Sequence, residues 1–143
     1  MVFKKFALSL VLGCSVLTVT ALAQGRSTKG EKPLSISQGQ KVELTDFLIK
    51  DRTTIFDFTS EYCPPCRAYA DPLYQLHRRR NDLAVVKVDI NRPEVHRIDW
   101  QSPVAEQYEL RAIPYFKIYG PDGKLIAEGL AARQMVDSWI DAL

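Results

Sequence analysis

Cys63 and Cys66 stand between a β-branched, aromatic run, Thr53 to Thr59, and a segment of helical periodicity that opens on Pro64. A strand that feeds two cysteines into the first turn of a helix fixes a βα junction and leaves one sulfur on the positive end of the helix dipole. The two sulfurs are then close enough to bond reversibly, so Tyr62-Cys63-Pro64-Pro65-Cys66-Arg67 reads as a redox switch. Pro64 and Pro65 suit the first two helical positions, whose N–H groups have no partner inside a helix.

The rest of the chain arranges itself around that junction. Leu34 and Ile36 alternate with serines as a short edge strand does, and Leu44 to Ile49 reads as a brief helix ending before Asp51. The helix opened by Pro64 extends to about Arg79, with Ala68, Tyr69, Leu73 and Leu76 expected on its buried face and Pro72 expected to bend it. Leu83 to Ile90 is a further apolar strand, and Ser102-Pro103 is an N-cap and N1 pair for a helix to about Leu110. Tyr115 to Tyr119 and Lys124 to Glu128 flank Gly120-Pro121-Asp122-Gly123, a hairpin turn. A last helix, Ala131 to Ala142, places Met135, Trp139 and Ile140 on one side. The order β-α-β-α-β-α-β-β-α combines parallel crossovers with a terminal hairpin, which implies an α/β fold: a central mixed β-sheet flanked by helices on both faces.

The N-terminus has a separate logic. Lys4 and Lys5 precede a stretch without charge from Phe6 to Gln24, and Ala21-Leu22-Ala23 offers small residues for cleavage, so residues 1–23 read as a secretory signal peptide. An uncleaved membrane anchor is one alternative, and lipidation at Cys14 is another. Against lipidation, Leu12 fits poorly before Gly13, and the apolar segment continues through Val19. Residues 24–32 read as a flexible leader and 33–143 as one domain with a core large enough to fold alone.

The whole chain carries 19 Lys and Arg against 17 Asp and Glu, and loss of Lys4 and Lys5 brings the remainder to neutrality, which gives no reason to expect a nucleic-acid partner. His77-Arg78-Arg79-Arg80 reads as the solvated, dipole-complementing end of a helix. Of the three cysteines, Cys14 leaves with the signal. A lone remaining pair that closes a tiny ring gains little loop-closure entropy, so chemistry explains it better than stability does.

Phe56-Asp57-Phe58 ahead of the site, Cys63-Pro64-Pro65-Cys66-Arg67, Lys87 in the next strand, Ala112-Ile113-Pro114 before the hairpin and Gly129 ahead of the last helix follow one another in a fixed order. With these landmarks the chain resembles the thioredoxin-fold family from about Lys41 to its C-terminus. The resemblance implies a thioredoxin fold and a thiol–disulfide oxidoreductase that needs no cofactor and no metal. His77 and His96 in any case lack the local spacing of a zinc finger.

Cys63, at the helix N-cap, is then the nucleophile, its pKa expected to fall from about 8.5 toward ~3.5 to 7.5, and Cys66, one turn inward and less exposed, resolves the mixed disulfide. Asp57 matches the acid that assists deprotonation of Cys66, with Lys87 as its charge partner. A buried, hydrogen-bonded structural carboxylate is the plainer reading. Ile113-Pro114 matches the family's cis-proline, whose loop faces the disulfide and pairs with an extended substrate, a plain trans turn being the alternative. Tyr62 and Pro64 complete the expected substrate-binding set.

Three departures qualify the pattern. Thr59 and Tyr62 stand where thioredoxins commonly carry tryptophan, Tyr115 stands where many carry threonine, and Asn91 to Gln101 is longer than in a minimal thioredoxin. That longer segment leaves a strand parallel to the one before Cys63 and so emerges at the same sheet edge, where ligands bind in such folds. His96 and Trp100 are placed there either to shape substrate choice or to pin the loop.

The two prolines delete two donors that would have solvated a Cys63 thiolate, leaving the Cys66 N–H and implying a moderate or reducing potential. The expectation is an extracytoplasmic enzyme, periplasmic or otherwise exported, or anchored to the membrane if its first segment is retained. It would act as a monomer on protein disulfides and thiols, together with an upstream redox partner protein. Its Cys-Pro-Pro-Cys-Arg also resembles exported reductases that service cytochrome c maturation. An oxidase or isomerase, and a non-catalytic binding module with a structural disulfide, are the alternatives.

Overall fold

Every residue from Thr54 to Thr59 is buried, as expected of a central strand covered on both faces. The structure, a computed structural model, describes residues 32–143, so the expected signal peptide, Cys14 and residues 24–31 of the leader lie outside the described residues. The central strand is β2 (Thr53–Thr59). It pairs in parallel with β3 (Leu83–Asp89), which in turn pairs in parallel with the edge strand β1 (Leu34–Ile36). On its other side β2 pairs antiparallel with β4 (Tyr115–Tyr119), whose hairpin partner is β5 (Leu125–Glu128). The order β1-β3-β2-β4-β5 is the expected mixed sheet.

Period-two alternation along β2 divides the core. Ile55 packs with Val85, Phe116 and Ile118 beneath Leu73 and Leu76 of α1 (Pro64–Arg79) and Ala132 and Val136 of α3 (Gly129–Asp141). Phe56 and Phe58 face the other way, with Val86, Val88, Leu44, and Val104 of the short helix α2 (Pro103–Gln107). Asp57 has the parity of Ile55 and therefore points to the α1 side.

Several boundaries differ from expectation, each for a local reason. The helix expected from Leu44 is a single 3₁₀ turn, Leu44–Phe47, whose N-cap Glu43 supplies no capping side-chain bond. α2 stops at Gln107 because Glu109 adopts φ 50° and the Leu110 N–H returns to Ala105 O. α3 opens at Gly129, two residues early, in the left-handed region at φ 59°. α1, by contrast, keeps its expected bounds and is continuous through Pro72.

On α1, Ala68 is exposed rather than buried, because the stripe that meets the sheet runs through Cys66, Leu73, Leu76 and His77. His77 is therefore not part of a solvated helix end. Its Nδ1 accepts the Val85 N–H at 3.0 Å, at a point on β3 that the short β1 does not reach in register. Arg78 and Arg79 are exposed, and Arg80 pairs with Asp82 at 2.7 Å. Among the described residues no helix is long and apolar enough to cross a membrane.

Candidate active site

Cys63 is the N-cap of α1, and its Sγ accepts the Cys66 N–H at 3.2 Å. Pro64 and Pro65, at N1 and N2, have no N–H to add, so the sulfur takes one amide bond where a helix N-terminus otherwise offers more. The two cysteines form a disulfide. Both are only 2% exposed, so Cys66 is not the more protected sulfur that the sequence implied. The loop before β4 accounts for this, because the Ile113 carbonyl oxygen lies 3.7 Å from Cys63 Sγ and roofs it.

That approach follows from register. Phe58 pairs with Tyr115 across the antiparallel β2–β4 ladder, so the residues just before Tyr115 must lie beside those just after Thr59. The Ile113-Pro114 peptide is cis, as the sequence implied, and both residues are half-buried at the rim. Pro64 is exposed on the first turn of α1, and Tyr62 is half-buried beside it. The structure thus gathers Cys63, Cys66, Tyr62, Pro64, Ile113 and Pro114 around one junction.

Asp57 and Lys87 lie deeper. They are register partners on β2 and β3, on the face that carries α1. Asp57 is 2% exposed, and its Oδ1 has no hydrogen-bond partner among the described residues. Burial pushes its carboxyl up to about 7, against the opposing pull of the Lys87 ammonium. No ion pair within 4.0 Å joins the two among the described residues. Asp57, Lys87 and Cys66 instead line one cleft of about 230 Å³, together with Ser60, Glu61 and Asp89. Cys63 is not on that cleft, so of the two sulfurs it is Cys66 that shares it with the acid.

Two contributors to this site were not read from the sequence. Asp89 is half-exposed, with its carboxyl raised by partial burial and restrained by the Asn91 N–H that donates to it at 3.0 Å. Its position two residues beyond Lys87 on a strand puts it on the same face, which is the signal that would have found it. The other is the buried link between Ser60 Oγ and Asn91 Oδ1, 2.7 Å, which ties the cysteine loop to the segment after β3 and crosses too long a sequence separation for any local pattern to reveal.

Residues 91–101 are held by that link and by four further contacts. Asn91 Nδ2 donates to Val95 O at 2.9 Å and Arg97 O at 2.6 Å. Arg92 pairs with the buried Asp99 at 2.7 Å, and its guanidinium holds the Asp99 carboxyl below the usual range. Ile98 packs on the core. Trp100 is 41% exposed and is not the pin. His96, exposed, places Nδ1 3.1 Å from the Tyr62 hydroxyl.

A thioredoxin family model matches residues 36–142. Thioredoxin H-type of Brassica oleracea is 27% identical over 88 residues, covering 62% of this chain and 65% of its own length, so the chain spans just under two thirds of that relative. Among solved structures, mitochondrial thioredoxin 3 of Saccharomyces cerevisiae in its oxidized form superposes with a TM-score of 0.51 at 28% identity, over 78% of this chain and 95% of that one. Thioredoxin f2 of Chlamydomonas reinhardtii shares the fold, with a TM-score of 0.54 at 20% identity over 77% and 95% of the two chains. Because the family match runs from the end of β1 through α3, it takes in the rest of the sheet and both sides of the cysteine junction, and the chain belongs to the thioredoxin family.

Proposed function

We propose that this chain is an exported thiol–disulfide oxidoreductase that reduces disulfides in protein substrates. The observation that carries the reading is a disulfide at the head of α1 whose N-cap sulfur, Cys63 Sγ, lies 3.7 Å from the Ile113 carbonyl, at a loop able to pair with an extended peptide. In the reduced chain the Cys63 thiolate attacks one substrate sulfur, the substrate S–S bond breaks, and the departing sulfur leaves as a thiolate that takes a proton from water. Cys66 then passes its thiol proton to Asp57 across the shared cleft and attacks Cys63 Sγ. The mixed disulfide breaks, the second substrate sulfur leaves as a thiolate, and the chain ends as the Cys63–Cys66 disulfide. An upstream dithiol protein returns the two electrons.

Asp57 suits its part because a carboxyl poised near 7 gains and loses a proton near neutral pH. Lys87 biases that carboxyl without neutralising it. The reducing direction rests on the single N–H available to Cys63, since weaker thiolate stabilisation makes the reduced form a better electron donor. Export rests on the pattern of residues 1–23, with retention as a membrane anchor the other outcome. Monomeric action on proteins fits a site built within one chain.

The test is the equilibrium reduction potential of Cys63–Cys66 in the chain from Gln24 onward, paired with dithiol-driven reduction of insulin. A potential near about −270 mV with turnover supports a reductase, and one near about −120 mV makes it an oxidase. A pair that does not reduce reversibly, without turnover, makes the disulfide structural and the chain a binding module.

A further inference from the structure

The segment after β3 gives the site a second flank. In the sheet order β3-β2-β4, the C-terminal end of β2 lies between the C-terminal end of β3 and the N-terminal end of β4. The cysteines therefore sit between Ile113-Pro114 on one side and residues 91–101 on the other. The second flank keeps its shape through the buried Ser60–Asn91 bond, the Asn91 bonds to Val95 and Arg97, and the Arg92–Asp99 pair.

Against that background the Tyr62–His96 contact stands out as unnecessary to the fold. It is exposed, and an exposed hydrogen bond at the rim of an already fixed loop adds little stability. What it does is orient the ring next in sequence to the nucleophile, with the two rings edge to face at 6.4 Å. The imidazole also borders a shallow hollow of about 270 Å³ with Glu94, Val95 and Arg97. A hydroxyl and an imidazole together offer donors and acceptors suited to the backbone amides and carbonyls of a polypeptide.

We infer that His96 is a specificity-determining residue: with Tyr62 it forms a polar edge that receives the substrate polypeptide on the flank away from Ile113. The assignment rests on the oxidoreductase reading above. It separates protein disulfides, long enough to reach both flanks of the sulfur pair, from small disulfides that engage Cys63 alone.

The experiment compares the whole chain with its His96→Ala and His96→Gln variants on two probes, insulin and 5,5′-dithiobis(2-nitrobenzoate). Loss of one or two such hydrogen bonds raises the KM for insulin by about threefold to tenfold in His96→Ala. The kcat on insulin, the rate on the small disulfide and the reduction potential stay as in the wild type, and His96→Gln, which keeps a donor and an acceptor, recovers most of the loss. Unchanged insulin kinetics, or an equal loss on both probes, overturns the assignment while leaving the oxidoreductase reading intact. A wild-type chain that turns over neither probe removes that reading, and this assignment with it.

Discussion

Asp57 faces Lys87 in direct register across the parallel ladder of β2 and β3, yet the carboxyl stays buried and takes no ion pair from its partner among the described residues. The ammonium lies near enough to pull the acid's pKa down but not enough to offset burial. The folded chain therefore holds at about 7 a proton that the unfolded chain releases near 3.8, a difference of about 4 kcal/mol. The stability this represents is complete below the unfolded value and is lost as pH rises through the folded one.

Asp57→Asn accordingly removes a fall in stability between about pH 4 and 7 and stabilises the oxidised chain by about 2 to 4 kcal/mol at about pH 8. Denaturant unfolding of the two proteins at both ends of that window checks it. A wild-type chain whose stability rises across the window contradicts the poised acid.

The same substitution has the opposite effect on turnover. With no acceptor for the Cys66 proton, resolution of the mixed disulfide slows by about a hundredfold, the lower end of general-base contributions, while the initial attack by Cys63 changes little. Rapid acid quenching during insulin reduction then captures an accumulating Cys63 mixed disulfide. Its decay is expected to show a pH inflection near 7 in the wild type and none in the variant.

Pro65 withholds an N–H from the N-cap sulfur, so Pro65→Ala restores a second donor to Cys63. One charge-assisted bond shifts the midpoint of the Cys63 alkylation rate down by about one pH unit and raises the reduction potential by about 30 mV. Iodoacetamide rate profiles and a dithiol redox titration read the two shifts, and they move together or the thiolate argument fails.

Arg92→Ala leaves the almost wholly buried Asp99 carboxylate without its guanidinium partner and lowers the unfolding free energy. The damage is local as well. Amide exchange in residues 91–101 accelerates more than in β2 or β3, because only the Asn91 bonds and Ile98 packing then hold the turn.

How far this architecture could be read in advance depends on the range of the forces that set it. β2 and β4 matched their expected bounds because β-branched and aromatic runs flanked by turn residues carry their own signal, and the N-cap role of Cys63 followed from the prolines behind it. The cysteine pair was legible from its own spacing at the strand–helix junction, while the cis Ile113-Pro114 bond and the shared face of Asp57 and Lys87 came through the resemblance. Ala68 and His77 were misplaced because the sheet decides which stripe of α1 is covered, and no helical periodicity within the segment encodes where β1 ends. The equal burial of the two sulfurs could not be read either, since it comes from a carbonyl some fifty residues further along the chain.

That roof over Cys63 has a kinetic consequence. Exchange requires a thiolate to reach a sulfur along the axis of the bond it breaks, and neither sulfur of the oxidised pair is open to solvent. Small thiols are left a narrow approach past the Ile113 carbonyl to Cys63, and a peptide backbone that displaced that carbonyl would widen it. Small dithiols are therefore expected to reduce the pair slowly but completely, so its equilibrium potential is reached only after long incubation.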